Sequence, residues 1–189
     1  MRIISGKYKG RIISFPMTKA VRPMMDRVRE SLFSTIGEVV ESADVLDLFA
    51  GSGSIGFEAL SRGAQSAVFV EQLKDSIVSL RKNKQILGVQ PNVTIMDSSV
   101  DRAIKTLSKK GQKFSLIFMD PPYNKGLIKK TLKHIVQFDI LRGSGWLVIG
   151  HSQYELVPEE NSLNLLKTKK FGESLFTILI RPEKGKNRG

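Results

Sequence analysis

Residues 47–56 read Asp-Leu-Phe-Ala-Gly-Ser-Gly-Ser-Ile-Gly, and this stretch decides the fold. The apolar run that precedes the glycines, residues 45–49, is broken by one carboxylate and is typical of a buried parallel strand. Gly51 and Gly53 permit a tight turn, and the residues from Ser54 onward have helical composition. The stretch therefore predicts a strand, a turn and a helix N-terminus whose bare backbone N–H groups face the anionic or polar end of a ligand.

The rest of the chain repeats this alternation of strands and helices. Asp26 is predicted to cap the first helix, and Gly88 to end a later one. Alternating apolar strands and amphipathic helices indicate a doubly wound, mainly parallel α/β sheet with its ligands at the carboxyl ends of the strands. The predicted strands are 45–49, 66–71, 93–97, 114–119, 145–149, 163–171 and 174–181, and the predicted helices are 27–40, 54–62, 73–87, 99–109 and 126–138.

Four of the predicted strands carry or end in an acid, namely Asp47, Glu71, Asp97 and Asp120, and these acids are expected to line one crevice. Glu71 lies twenty residues after Gly51, the spacing of the carboxylate that accepts ribose hydroxyls in nucleotide-binding βαβ units. Asp97 could accept from an adenine amino group, but Ser98 or Ser99 could equally cap the next helix. The predicted cofactor-binding residues are Asp47, Phe49, Ala50, Gly51, Gly53, Gly56, Glu71, Asp97 and Ser98.

The fourth strand runs into a second decisive motif, Asp120-Pro121-Pro122-Tyr123. Two prolines fix φ and lack an N–H group, so the loop offers carbonyls and the Asp120 carboxylate as acceptors. Tyr123 adds a flat ring. Such a loop suits a planar heterocycle whose exocyclic amino group is held from two sides. These four residues are the predicted catalytic set.

The net charge of +12 is concentrated at the two ends of the chain. Residues 1–30 contain eight Lys or Arg against two acids, and residues 181–189 contain four against one. This asymmetry favours a polyanionic partner, because cations that contact phosphates release condensed counterions. The alternative is a solvated surface that confers solubility. The residues predicted to bind nucleic acid are Arg2, Lys7, Tyr8, Lys9, Arg11, Arg22 and Arg27.

The basic N-terminal segment is predicted to form a small β-hairpin over residues 2–15. It could cover a sheet edge, or it could present its cations and Tyr8 to a phosphate backbone. Arg22, Arg27 and Arg29 lie outside the apolar stripe of the first helix, where positive charge disfavours the helix dipole. This cost indicates that the arginines have a function, although Arg29 and its neighbours could simply pair with Glu30.

Length and composition restrict the possible classes. A chain of 189 residues supports one core, which we divide into a basic appendage at 1–20, a main domain at 21–183 and a basic tail at 184–189. The absence of cysteine excludes disulfides, thiolate metal sites and a cysteine nucleophile. The spacing of His134 and His151 does not indicate a metal site. No signal peptide or membrane-spanning run is recognisable, which predicts a cytoplasmic protein.

Both motifs resemble those of a known class of enzymes. Residues 47–53 resemble motif I of the class I S-adenosylmethionine-dependent methyltransferases, and residues 120–123 resemble motif IV of the amino-group methylases that act on nucleic acid bases. The likeness extends over nearly the whole chain through residues 2–11, 22–33 and 171–174. The chain is similar to the bacterial RsmD family, which methylates N2 of a guanine in 16S ribosomal RNA within the small ribosomal subunit.

The resemblance implies a seven-stranded Rossmann-like methyltransferase sheet with helices on both faces, an antiparallel last strand and the small N-terminal β-hairpin. It further implies S-adenosyl-L-methionine as cofactor, 16S rRNA in the assembled or assembling small subunit as partner, no metal, and a monomer. Asp120 and the Pro121 carbonyl would accept the amino hydrogens of the base while Tyr123 stacks on it. The chain departs from the family at Met24-Met25, commonly a hydroxyl residue, and at His151, usually a glutamate.

Other functions share parts of this pattern. Adenine-N6 and cytosine-N4 methylases of nucleic acid use the same loop chemistry. Residues 51–56 also satisfy the dinucleotide fingerprint with Glu71 at the expected distance, which would suit a small NAD-dependent oxidoreductase. That reading leaves residues 120–123 unexplained and lacks a substrate domain. A non-catalytic RNA-binding protein would need the basic ends but not the acids.

Overall fold

Helices and strands alternate from residue 26 to residue 152, and two further strands follow, in a computed structural model that describes residues 1–16, 24–171 and 174–183. The helices are α1 Asp26–Ile36, α2 Ser54–Ser61, α3 Lys74–Leu87, α4 Val100–Lys109 and α5 Leu127–Gln137, with short 3-10 helices at Gly37–Val40 and Gln90–Asn92. The strands are β1 Asp44–Leu48, β2 Ser66–Glu71, β3 Val93–Asp97, β4 Phe114–Met119, β5 Leu141–Ser152, β6 Asn164–Phe171 and β7 Ser174–Ile180.

The described strands form one seven-stranded sheet in the order β3-β2-β1-β4-β5-β7-β6. β1 to β5 run parallel, and β7 inserts antiparallel between β5 and β6. The predicted doubly wound, mainly parallel sheet with an antiparallel last strand is therefore confirmed. The strand order reverses between β1 and β4, and the carboxyl ends of strands at such a switch point form the usual ligand crevice.

Alternating residues along the central strands divide the core into two layers. Val45 and Phe69 pack on one face with α1 to α3, whereas Leu46 and Val70 pack on the other face with α4 and α5. Helices therefore cover both faces, as the sequence predicted. Among the described residues, no helix combines the length and the apolar character that a membrane span requires.

The N-terminal segment, residues 1–16, folds back on itself but does not form the predicted pair of strands. The antiparallel pairing is a single bridge between Arg2 and Ile12. The reason is that much of the segment bonds to α2 instead: the Ile4 and Ser5 N–H groups donate to Glu58 and the Lys7 N–H to the Ser61 carbonyl. Ile3 and Ile13 are each 1% exposed and belong to the same core layer as α1 to α3.

Several element boundaries differ from those predicted, most clearly in α1 and β5. Asp26 is the first residue of α1 and not its cap, because Met25 occupies the N-cap position and no side chain caps the helix. The carboxylate still lies in the first turn, where it favours the helix dipole. β5 is longer than predicted, since it begins at Leu141 and ends at Ser152.

Candidate functional site

The loop between β1 and α2 has the sharp turn that its glycines predict. Gly51 has φ 56° and Gly53 has φ 79°, both in the left-handed region where glycine carries no steric cost. Phe49, immediately after β1, has φ 62°. An aromatic residue in this region is strained, and such strain persists where the surroundings impose it, often at ligand sites.

The backbone N–H groups of the three motif glycines are not bare, which corrects the sequence prediction. Gly51 N–H donates to Glu71 Oε2 at 2.8 Å, Gly53 N–H to the Ala50 carbonyl at 2.7 Å, and Gly56 N–H to Asp47 Oδ2 at 3.0 Å. The buried loop satisfies its own donors because an unpaired buried N–H group is costly. These glycines therefore shape the loop and do not offer free donors to a ligand.

Asp47 is an internal anchor of this loop. The residue is 2% exposed, and burial raises its pKa well above the ordinary aspartate value, although the Gly56 N–H opposes the rise. The nearby Asp120 and Glu71 carboxylates raise this pKa further. Gly56 makes the contact possible, because a Cβ there would lie 2.4 Å from the Phe69 ring. Asp47 and Gly56, which the sequence predicted to bind cofactor, bond to each other and fix the shape of the loop.

Glu71 closes the other side of the loop. Its carboxylate accepts from the N–H groups of Gly51 at 2.8 Å, Gln72 at 2.7 Å and Leu73 at 2.9 Å. Three donors hold the carboxylate in one orientation at the carboxyl end of β2. Asp97 pairs with Glu71 in the β2–β3 register, is exposed, and lies 3.9 Å from Arg81. Ser98 is half-buried beside it, and no side chain caps α4.

Asp120 lies directly after β4, across the switch point from the glycine loop. Burial raises the pKa of its carboxyl to about 6, and an interaction with the Tyr123 hydroxyl opposes the rise. The carboxylate fits against β5 because residue 150 is glycine: a Cβ there would lie 2.3 Å from Asp120 Oδ1. Pro121 is buried and Pro122 is exposed.

The loop after Asp120 is fixed at several points. The Tyr123 hydroxyl donates to Ser174 Oγ at 3.3 Å, and burial raises the Tyr123 pKa to about 12. Asn124, with φ 58°, donates from its N–H to Glu155 at 3.0 Å and accepts from Ser152 Oγ at 3.2 Å. The loop is thus held by β5, by β7 and by the turn after β5.

The structure brings three of the four predicted acids together. The Glu71 and Asp120 carboxylates are close enough to Asp47 for their charges to raise its pKa. Asp97 lies at the same sheet edge but towards the surface. Phe49, Ala50, Glu71 and the Asp120 loop lie at the carboxyl ends of β1, β2 and β4, the edge of the sheet at which doubly wound folds bind their ligands.

The cations predicted to bind nucleic acid are exposed on the N-terminal segment. Lys7, Lys9 and Arg11 reach the surface, and Lys7 Nζ and Arg11 Cζ lie 5.6 and 6.0 Å from the centre of the Tyr8 ring. Tyr8 packs partly against the core. The segment therefore presents a small basic surface with an aromatic ring at its centre.

The remaining predicted cations fall into three classes. Arg2 is exposed, and its Nε lies 3.3 Å from Asp26, while Arg27 is exposed on α1. Arg22 lies outside the described residues, as do residues 17–20, Gly172-Glu173 and the tail at 184–189. Arg29 is fully buried and does not pair with Glu30. It lies 3.7 Å from buried Glu58 and 3.1 Å from Asp26.

The two histidines have structural surroundings. His151 is 5% exposed, with Nδ1 3.0 Å from the Ser152 and Glu155 carbonyls and Nε2 2.9 Å from Thr177 Oγ1. These contacts link β5 to β7. His134 Nδ1 lies 3.0 Å from Asp101 on α4. Within the described ranges, no group of three or more histidines and acids could hold a metal ion.

Two residues of the site were missed by the sequence analysis. Gly150 lies inside β5, and a glycine within a strand often marks a close approach, so this signal was available. Ser174 anchors Tyr123 from β7, 51 residues away in sequence, and no local pattern indicates such a contact.

The chain is similar to known proteins over nearly its whole length. A family model described as conserved hypothetical protein 95 matches residues 1–180. Ribosomal RNA small subunit methyltransferase D from Escherichia coli is 33% identical, covering 99% of this chain and 93% of its own length. YlbH from Bacillus subtilis is 34% identical, covering 98% and 100%. The solved structure of YhhF from Escherichia coli has a TM-score of 0.84 at 32% identity, covering 97% and 99%.

Proposed function

This chain belongs to the bacterial RsmD family, described as conserved hypothetical protein 95, and from that premise we propose that it is an S-adenosylmethionine-dependent rRNA methyltransferase. Its substrate is the exocyclic N2 amino group of a guanine in 16S rRNA of the small ribosomal subunit. One observation carries this proposal: the glycine loop after β1 and the Asp120 loop after β4 meet at the switch point of the sheet.

The residues at the switch point fit S-adenosylmethionine. Glu71 is held by three N–H donors, and a carboxylate has about four acceptor positions, so one remains for a ribose hydroxyl. Phe49, Ala50, Gly51 and Gly53 form the adjacent wall. Asp97 and Ser98, at the end of the neighbouring strand β3, would accept from the adenine amino group. When bound, the cofactor supplies an activated methyl group on a sulfonium.

Asp120 and its loop act on the target amino group. The amino nitrogen of guanine is conjugated with the ring and is a poor nucleophile. Asp120 and the Pro121 carbonyl would accept its two hydrogens, which would draw the lone pair out of conjugation and aim it at the cofactor site. A bound cofactor would supply the methyl group and leave as its thioether, and Asp120 would accept the proton that becomes acidic on methylation. Tyr123, held by Ser174, supplies a stacking face for the base.

The basic N-terminal segment holds the RNA. Lys7 and Arg11 lie near the Tyr8 ring and Lys9 is exposed beside it in sequence, an arrangement that suits phosphates next to a stacked base. Arg2 and Arg27, both exposed, would add further phosphate contacts, and Arg22 is proposed for the same role from the sequence alone. We assign residues 1–20 to this appendage, 21–183 to the methyltransferase domain and 184–189 to a basic tail. The protein acts without metal as a monomer on the small subunit in the cytoplasm.

The direct test is methyl transfer to the proposed substrate. Small ribosomal subunits and free 16S rRNA that lack the modification are incubated with the protein and labelled S-adenosylmethionine, and the RNA is digested and analysed by mass spectrometry. We expect N2-methylguanosine at one site, and none with Asp120→Ala. Methylation of adenine or cytosine would refute the base assignment, and no labelled RNA would refute the function.

A further inference from the structure

Asn83, in the middle of α3, contacts both functional segments of the molecule. The side chain is fully buried, and its Nδ2 donates to the carbonyls of Ser14 and Ser52, each at 2.9 Å. Its Oδ1 accepts from the Ser14 N–H at 2.6 Å. One amide group therefore uses both its donor hydrogens and its acceptor to join two backbone segments that are far apart in sequence.

The two partners lie in different parts of the proposed machinery. Ser52 lies between Gly51 and Gly53 in the glycine loop, and Ser14 lies near the end of the N-terminal segment that carries the basic surface. Glu71 holds the same loop from the opposite side through the Gly51 N–H. The loop is consequently held between a carboxylate on β2 and an amide on α3.

The N-terminal segment also contacts α3 at a second point. Arg11, one of the exposed cations, donates from Nη1 to the Ile86 carbonyl at 2.9 Å. α3 is therefore bonded both to the N-terminal segment and to the glycine loop. A phosphate that binds the basic surface contacts a segment that shares this helix with the loop. Buried amide contacts have strict geometry, and an unpaired buried carbonyl is costly, so a shift of Ser14 changes the environment of Ser52.

We propose that Asn83 is a positioning residue that couples RNA binding on the N-terminal segment to cofactor binding at the glycine loop. This inference rests on the proposed function. RNA that orders the N-terminal segment stabilises the hydrogen bonds between Asn83 and Ser14. Asn83 then also stabilises the glycine loop through its bond to Ser52. By thermodynamic linkage, cofactor raises the affinity for RNA by the same factor.

The experiment measures this coupling factor. The dissociation constant of labelled S-adenosylhomocysteine is determined by equilibrium dialysis, alone and with saturating small ribosomal subunits that lack the modification. We expect the subunits to tighten binding at least about fivefold in the wild-type protein, the lower end of typical allosteric factors. In Asn83→Ala the factor should fall to about one.

A matched control separates coupling from packing. Ser79 is 5% exposed on the same helix, and among the described residues its hydroxyl bonds only within α3, to the Asp75 carbonyl. Ser79→Ala should keep the wild-type factor. If Asn83→Ala does not fold, Asn83→Ser serves instead, because its short hydroxyl keeps a polar group at the buried position but cannot bond to both Ser14 and Ser52.

The outcomes are distinct. Loss of the factor in the Asn83 variants, with Ser79→Ala unchanged, supports the proposal. An undiminished factor in folded Asn83 variants overturns it, as does independent binding of the two ligands to a wild-type protein that methylates RNA. A wild-type protein that binds neither ligand and transfers no methyl group overturns the proposed function and this inference with it.

Discussion

Gly150→Ala tests whether the position of Asp120 controls catalysis. In the structure, a Cβ at residue 150 would lie 2.3 Å from Asp120 Oδ1 and 2.8 Å from its Cγ, whereas ordinary contacts begin at 3.4 Å. The carboxylate must therefore move by about 1.1 Å, the difference between 3.4 and 2.3 Å. Because the nearest atom is the end of a side chain, the Asp120 rotamer can change without moving the strand.

A displacement of this size should affect the reaction far more than the fold. Misplacement of a reacting group by about 1 Å can cost on the order of a hundredfold in rate. We expect kcat to fall about 30- to 100-fold, which is about 2–2.7 kcal/mol of activation free energy. Affinity for S-adenosylhomocysteine should stay within about threefold. The melting temperature should change by less than about 4 °C, which corresponds to roughly 1 kcal/mol at this chain length.

The assay is single-turnover methylation of small ribosomal subunits, with calorimetry for cofactor binding and a thermal melt for stability. Gly145→Ala in the same strand is the contrasting variant, because its Cβ would lie 2.8 Å from the backbone carbonyl oxygen of Arg142 and away from Asp120. It should lower the melting temperature and largely keep kcat. A folded Gly150→Ala protein with wild-type kcat would refute the role given to Asp120.

Three other predictions concern Asp120, Glu71 and the basic N-terminal segment. The ionised Asp120 is the stronger acceptor and can take up the released proton, so single-turnover rates should rise with pH through about 6. The rising limb should be absent in Asp120→Asn, and a wild-type profile that is flat from pH 5 to 7 contradicts this. Glu71→Ala should weaken S-adenosylhomocysteine binding by about 1.5–3 kcal/mol, measured by calorimetry. Unchanged affinity would show that Glu71 does not bind the cofactor. Replacing Lys7, Lys9 and Arg11 together by alanine should reduce the slope of log K for RNA binding against log salt concentration by about two units, at about 0.7–0.9 for each lost phosphate contact. If the slope is unaltered in a protein that still binds S-adenosylhomocysteine, RNA binds at another surface.

The fold was largely predictable because its signals are local. The apolar run before Gly51, the left-handed Gly88 at the end of α3 and the period of the helical stripes each act over a few residues. The N-terminal hairpin was predicted less well. Its alternation suggested two strands, but a Cβ at Gly6 would lie 1.8 Å from the Ser61 carbonyl oxygen, so the segment is shaped by close packing on α2.

The sequence by itself determined the strand and helix order, the two motifs and the acids at the strand ends, since spacing along the chain specifies them. Only the tertiary structure decided what each group contacts. Asp47 holds the Gly56 N–H, Gly150 leaves room for Asp120, and Asn83 joins Ser14 to Ser52. These contacts join residues on different elements, up to 69 positions apart for Asn83 and Ser14. Hydrogen bonds and steric exclusion act through space, and no pattern within a single element specifies the partner.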